Sequence, residues 1–145
     1  MSEPTHTHFG RCHCGAISME LAFRLPANEM QVRSCQCEFC SRQGSRTISA
    51  ADGRAIIRIA ADQLTTYSFG TETCSVLICK RCGVYAGVIM DDGDQLLSIA
   101  NARGLGIDAF KDRDGTPLTH AGESTPGRIE RRRSRWTPTE IRYTL

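Results

Sequence analysis

All but one of the eight cysteines stand in three short groups, and their spacing is that of metal ligands. The groups read CHCG from Cys12, CQCEFC from Cys35 and CKRCG from Cys79. Two cysteines separated by two residues close a turn that directs both sulfur atoms at one ion, and thiolate sulfur is a preferred ligand of Zn²⁺. An isolated cysteine can pack like a small apolar side chain, but packing alone does not produce three tight clusters. The cysteines therefore predict zinc binding.

The first and third groups predict a closed site with four ligands. Both end in Cys-Gly, at Gly15 and Gly83, and glycine permits a left-handed turn that aims backbone N–H groups at a sulfur atom. Each group supplies two sulfur atoms and lies at the boundary of a predicted strand. We predict that the pair forms a site linking the first strand to the middle of the sheet; its ligands are Cys12, Cys14, Cys79 and Cys82.

The middle group supplies three sulfur atoms, from Cys35, Cys37 and Cys40, and has no second pair to join. Candidates for a fourth ligand are Cys74, His6, His8, His13 and His120. Cys74 precedes an apolar run, which is typical of a half-buried thiol, and nothing local ties the histidines to this group. We favour a fourth position that is left for water or a substrate thiol, because coordination to zinc deprotonates a thiol.

The elements that must position these cysteines are predicted to be mainly β. Residues 16–23 alternate apolar and polar side chains, the pattern of a half-buried strand. Further strands are predicted at 45–50, 54–60, 64–70, 74–79, 84–90, 96–101 and 140–143, and one helical turn at 38–43. We expect a single zinc-binding domain over 1–145, with a flexible N-terminus at 1–8 and a long irregular segment at 102–137.

Composition limits the compartment and the partners. The polar N-terminus has no apolar core of a signal peptide, and no run approaches the roughly 18 apolar residues of a membrane span. We therefore expect a cytoplasmic protein with reduced thiols and no membrane partner. The formal charge of +2 would disappear on thiolate binding to two zinc ions, so it does not indicate a nucleic-acid partner. The arginine-rich stretch Arg128–Arg135 is either a solvated strip or an edge that binds carboxylates or phosphates.

The stretches GRCHCGAISMEL, SCQCEFCSR and ICKRCGVYAG resemble, in order and spacing, the three cysteine motifs of the glutathione-dependent formaldehyde-activating enzyme family, which includes centromere protein V. The resemblance covers roughly residues 9–101. It implies a β-tent-like sheet domain stapled by two zinc ions. By this resemblance a structural zinc binds Cys12, Cys14, Cys79 and Cys82, and a labile or catalytic zinc binds Cys35, Cys37 and Cys40. The implied reaction joins glutathione to formaldehyde as S-hydroxymethylglutathione, a carbon–sulfur lyase activity.

We therefore predict a zinc-dependent enzyme of the carbon–sulfur lyase type that acts on a thiol adduct, of glutathione with formaldehyde or another aldehyde. The catalytic residues would be Cys35, Cys37 and Cys40. The sequence offers no clear general base, since the nearby or turn-forming acids fit exposed carboxylates; these are Glu38, Asp91, Asp92 and Asp94.

Two other classes of function remain at this point. One is a non-enzymatic module that binds or exchanges zinc. The other is an interaction module that uses Arg128–Arg135 on nucleic acid or an acidic protein, which is disfavoured because Trp136 alone cannot form a stacking platform for bases. The sequence is compatible with a monomer or an oligomer.

Overall fold

The computed structural model describes residues 3–144, which are mainly β as predicted. The strands are β1 (His6–Arg11), β2 (Ile17–Phe23), β3 (Arg33–Cys35), β4 (Thr47–Ile48), β5 (Arg54–Ala60), β6 (Leu64–Tyr67), β7 (Ser75–Cys79), β8 (Tyr85–Asp91), β9 (Leu96–Asn101), β10 (Thr116–Leu118) and β11 (Thr137–Thr144). A 3-10 turn covers Ala27–Glu29, and the helices are α1 (Glu38–Gln43) and α2 (Thr125–Arg135). None of the described helices is long and apolar enough to cross a membrane.

Strand β9 is the junction of the sheet. One edge pairs with β8, which continues through β7 to β6. The other edge pairs with β11 near Leu97 and with β4 near Ala100. From β11 the sheet runs through β5 and β2 to β1, and from β4 it runs through β3 to β10. Three arms thus meet at β9, and the cysteine groups lie at the ends of strands in different arms.

The core follows the alternation predicted for residues 16–23. In β2 the side chains of Ile17, Met19, Leu21 and Phe23 are buried, and the residues between them are only half-buried. Strand β5 alternates in the same way, and its antiparallel register places Met19 opposite Ile57. Because side chains in a strand alternate between faces, this register sets two rows of apolar side chains on one face of the sheet.

The N-terminus differs from the flexible segment expected at 1–8. Residues 6–8 belong to β1, where His8 pairs with Leu21 of β2 and its ring lies 4.9 Å from that of Phe110. Residues 1 and 2 lie outside the described part of the chain. The sequence of residues 6–8, HTH, does not alternate apolar and polar side chains. It therefore gave no sign of a strand, which is seen only in the pairing with β2.

The segment 102–137, expected to be irregular, contains β10 and the eleven-residue helix α2. The Ser124 hydroxyl accepts a hydrogen bond from the Gly127 backbone N–H at 3.0 Å, and Pro126 lies in the first turn. Serine at the cap and proline in the first turn are start signals for a helix. The buried residue of this helix is Arg132, so its sequence lacks an apolar stripe. Hydrophobic periodicity therefore could not predict the helix.

Candidate metal centres and cavity

Four cysteines from two distant parts of the sequence converge. The sulfur atoms of Cys12, Cys14, Cys79 and Cys82 all lie within 4.8 Å of one another. Cys12 and Cys14 follow β1, Cys79 ends β7, and Cys82 lies in the following turn. The Cys14 sulfur is 3.5 Å from that of Cys79, which is 65 residues away in the chain. The structure therefore brings together the four residues that the sequence paired.

Glycine shapes both turns of this cluster. Gly15 and Gly83 have φ values of 85° and 80°, in the left-handed region where a side chain is disfavoured. Their N–H groups donate to the carbonyl oxygens of Cys12 and Cys79 at 3.0 and 2.8 Å. Further N–H groups reach the sulfur atoms themselves: Ile17 donates to Cys12 at 3.3 Å, and Cys82 to Cys79 at 3.5 Å. Such donors stabilise thiolate charge.

The sulfur atoms of Cys35, Cys37 and Cys40 also lie within 4.8 Å of one another. Cys35 ends β3, Cys37 is the N-cap of α1, and Cys40 is in its first turn. The Cys37 sulfur accepts a hydrogen bond from the Cys40 backbone N–H at 3.4 Å, in place of the usual oxygen of an N-cap residue. The N-terminus of α1 is thus capped by a sulfur atom that also belongs to the cluster.

The pKa values of Cys35 and Cys40 are shifted in opposite directions. A hydrogen bond from Cys40 lowers the pKa of Cys35 to about 5, and N–H and side-chain donation from Cys37 contributes further. The pKa of Cys40 is raised in turn, because its proton is held by the Cys35 sulfur and its side chain is partly desolvated. The lowered pKa of Cys35 favours its thiolate, the form in which cysteine binds a metal ion.

Both clusters fit a metal ion by donor chemistry. Each offers only sulfur ligands, which favour zinc and other soft or borderline ions. In the first cluster two of the four cysteines are almost fully buried, Cys12 and Cys79 at 1% exposure each, whereas the second cluster is half-buried throughout. Both groups could hold a metal ion, and the second is the more accessible.

None of the remaining sequence candidates has a ligand atom that converges with the sulfur atoms of either cluster. Cys74 is half-buried, and its sulfur is not among the atoms that converge with those of Cys35, Cys37 and Cys40. Burial raises the pKa of its thiol. His13 is exposed, and His6 and His8 lie in β1.

We expect Cys74→Ala to retain the full metal content of the protein, because its sulfur lies outside both clusters. Metal analysis of the purified variant checks this, with Cys37→Ser as the control expected to lose about one equivalent. Loss of one equivalent from Cys74→Ala would show that the second cluster has a fourth cysteine ligand.

A cavity of about 360 Å³ opens beside the three-cysteine cluster. Cys35, Cys37 and Cys40 form one part of its lining, and helix α2 forms another. Cys74 and His120 also line it. The volume lies within the range of small-molecule binding sites. The segment after residue 101 thus folds back over the cluster, which the sequence alone did not specify.

Five arginines line this cavity, and two of them share one carboxylate. Glu123 receives a two-point ion pair from Arg131, with N–O distances of 3.1 Å, and a longer contact of 3.6 Å from Arg128. The hydrogen bonds from Arg131 lower the pKa of Glu123. Arg33, Arg132 and Arg135 have no carboxylate within 4.0 Å among the described residues, so the cavity carries an excess of positive charge.

Arg132 is the most unusual of these side chains, because it is only 6% exposed. Its Nη1 donates to the Thr73 hydroxyl at 2.6 Å, and its guanidinium lies 5.2 Å from the centre of the Trp136 ring. Neither partner carries a negative charge. A buried cation without a counter-ion is costly, and an anionic ligand would remove much of that cost.

Neighbouring Arg133 points elsewhere. Its Nε lies 2.7 Å from the Asp92 carboxylate, and the residue does not contribute to the cavity lining of the described chain. Of the acids considered from the sequence, Asp92 is therefore an ion-pair partner, and Glu38 pairs with Arg42 at 2.6 Å on the surface. Asp91 accepts a hydrogen bond from the Gly93 N–H in a turn, and Asp94 is exposed.

Two more polar groups line the cavity: Tyr85, which the sequence analysis missed, and His120, which it considered only as a metal ligand. Tyr85 is buried, which raises the pKa of its hydroxyl well above the ordinary value, and the nearby Cys40 adds to this effect. His120 is half-buried, and burial followed by the charge of Arg131 lowers the pKa of its imidazole. Tyr85 follows the third cysteine group in an apolar run, and no local pattern distinguishes it from an ordinary core residue.

Comparison with known proteins gives one family match and one similar structure. The model of the family described as glutathione-dependent formaldehyde-activating enzyme matches residues 7–107. A crystal structure of a Rhodobacter sphaeroides protein is 25% identical, covers 94% of this chain and 99% of its own, and has a TM-score of 0.49. The family match includes both cysteine clusters and ends before α2, so four of the five cavity arginines lie outside the matched region, and only Arg33 lies within it.

Proposed function

Since the chain belongs to the glutathione-dependent formaldehyde-activating enzyme family, we propose that it catalyses the reversible addition of the glutathione thiol to formaldehyde or another aldehyde. In the breakdown direction this is a carbon–sulfur lyase reaction. The observation that carries the proposal is a single cavity lined both by the three-cysteine cluster and by arginines that have no carboxylate partner among the described residues. A thiol substrate that carries carboxylates needs both a site for its sulfur atom and cations for its carboxylates.

We propose zinc as the metal of both clusters. Cys12, Cys14, Cys79 and Cys82 would hold a structural ion, and Cys35, Cys37 and Cys40 an ion at the cavity wall. A zinc ion bound at the cavity would supply Lewis-acid chemistry, favouring the thiolate form of a thiol or polarising a carbonyl. Thiolate clusters of this kind persist in a reducing compartment, so we place the protein in the cytoplasm, acting as one domain over residues 1–145.

The reaction forms a bond between sulfur and the carbonyl carbon, and the thiol proton ends on the former carbonyl oxygen. His120 is the group in the cavity that can accept a proton, because its lowered pKa keeps the imidazole neutral at pH 7. Tyr85 keeps its hydroxyl proton at that pH, and it can donate a hydrogen bond to an oxygen that gains negative charge. We propose these two roles as the contribution of the chain to proton movement.

The arginines would hold the tripeptide. Glutathione carries two carboxylates and one ammonium group, so it is a net anion at neutral pH. Arg132 offers a buried guanidinium with no carboxylate partner among the described residues, and Arg33 and Arg135 offer two more at the cavity wall. Arginine–carboxylate pairs of this kind give orientation as well as affinity.

We expect Arg132→Gln to weaken glutathione binding by about 10- to 100-fold, the usual loss for a buried charged hydrogen bond. Arg133→Gln is the matched control: it removes a guanidinium from the next position of the same helix, but that group pairs with Asp92 outside the cavity. Titration calorimetry on both variants checks this, with thermal unfolding to confirm that each is folded. Equal loss of affinity in the two variants would contradict the assigned role of Arg132.

The salt dependence of glutathione binding is a second measure of the proposed contact between Arg132 and a carboxylate. Binding should weaken as ionic strength rises in the wild type, and less so in Arg132→Gln, since part of the attraction is between charges. If glutathione gives no heat and does not protect the metal from a chelator, the proposed reaction fails. A module that exchanges zinc through its accessible cluster would then be the better description.

A further inference from the structure

The cavity has an apolar wall that the proposed reaction with formaldehyde does not use. Its aromatic and valine members are Phe39, Phe69, Val76, Tyr85, Val88 and Trp136. The buried members Val76, Tyr85, Val88 and Trp136 belong to one packed cluster, and Phe39 packs against it. The wall is therefore a built part of the fold rather than a set of scattered surface side chains.

The apolar wall includes a residue of the cysteine motif itself. Phe39 lies in α1 between Cys37 and Cys40, and all three residues line the cavity. The centre of its ring is 5.1 Å from that of Phe69 and 5.7 Å from that of Tyr85. A group attached to a sulfur or carbon atom at the cluster would thus meet aromatic surface directly.

Part of this aromatic surface is not covered by the protein. Phe69 lies after β6 and is 41% exposed, and Tyr67, which stacks on it at 5.5 Å, is also exposed. Exposed aromatic side chains beside a cavity with convergent polar groups are typical of a site that is covered by its ligand. Glutathione is polar along its length, and formaldehyde adds only one carbon, so neither explains this surface.

We infer that the aldehyde partner carries an apolar chain or ring of several carbons, which packs on Phe39, Phe69 and Val88 while its carbonyl carbon lies at the three-cysteine cluster. This inference rests on the proposed function and specifies its substrate class. The bond that forms joins the thiol sulfur to the aldehyde carbon. The carbonyl becomes a hydroxyl with the thiol proton, so no oxidant or other reactant is required.

Stable thioethers test this without turnover. Titration calorimetry compares glutathione, S-methylglutathione and S-hexylglutathione, which differ in the apolar group on sulfur. Each buried methylene strengthens binding by about fourfold when fully buried, so we expect the hexyl compound to bind at least about tenfold more tightly than the methyl compound. Its heat capacity change should also be more negative, the signature of apolar burial.

A matched pair of variants locates the effect. Phe69→Ala removes a partly exposed ring from the cavity, and Phe9→Ala removes a ring that is 57% exposed in β1 and does not line it. The ratio of hexyl to methyl affinity should fall severalfold in Phe69→Ala and stay at the wild-type value in Phe9→Ala. An unchanged ratio in Phe69→Ala overturns the inference, as does an equal fall in both variants.

The outcomes also separate this inference from the function on which it rests. If glutathione and S-methylglutathione bind, and S-hexylglutathione binds no more tightly, the cavity serves a small aldehyde and only the inference fails. If none of the three compounds binds, the glutathione assignment fails, and the inference fails with it.

Discussion

Cys79→Ser is expected to leave the chain without a stable fold. Cys79 ends β7, whereas Cys12 and Cys14 lie between β1 and β2, so the cluster joins two arms of the sheet. Structural zinc sites contribute roughly 10 to 16 kcal/mol, and a domain of ordinary size has a net stability of about 5 to 15 kcal/mol. Loss of the site therefore removes as much free energy as the whole fold has in reserve. Cys12→Ser and Cys82→Ser should behave in the same way.

Circular dichroism and metal analysis measure this effect, and Cys74→Ser is the matched control. It makes the same chemical change at a half-buried cysteine that lies outside both clusters. A Cys79→Ser protein that unfolds at the wild-type temperature would show that the packed core, and not this cluster, holds the two arms together.

Cys37→Ser should abolish the catalysed reaction while the protein remains folded. Cys37 is the N-cap of α1, and serine is a preferred N-cap residue, so its hydroxyl can take over the hydrogen bond from the Cys40 N–H. The substitution thus removes one sulfur atom of the three-cysteine cluster and is expected to preserve the local structure. We expect the loss of about one metal equivalent and a fall in the rate of adduct formation of at least about 100-fold, since removal of a direct ligand exceeds the usual effect of removing its supporting partner.

Chelation of the wild type gives an independent measure of the same difference. A mild chelator should remove about half of the metal without unfolding the chain, because four thiolates hold zinc more tightly than three. If both equivalents leave together with the loss of structure, the two sites are not separate, and the proposed roles of the clusters must be revised. Folded Cys37→Ser with full metal content and normal activity would likewise contradict the assignment.

The sequence alone determined the cysteine clusters and most of the sheet. The spacing within each group and the glycines after Cys14 and Cys82 reflect local turn geometry, which is encoded within a few residues. Strands β5 and β9 have the bounds that were predicted from their short β-like runs, and in β5 every second side chain is buried. The helical turn at 38–43 is likewise the observed α1.

The tertiary structure alone decided what faces the three-cysteine cluster. Arg131, Arg132 and Arg133 are identical residues in one run, yet the first binds Glu123, the second is buried in the cavity and the third binds Asp92. Successive residues of a helix point in directions about 100° apart, so their surroundings depend on how α2 packs against distant strands. No pattern within the run contains that information. The sequence named Arg128–Arg135 as a candidate anion-binding edge, but which of its arginines face the cavity was visible only after the chain had folded.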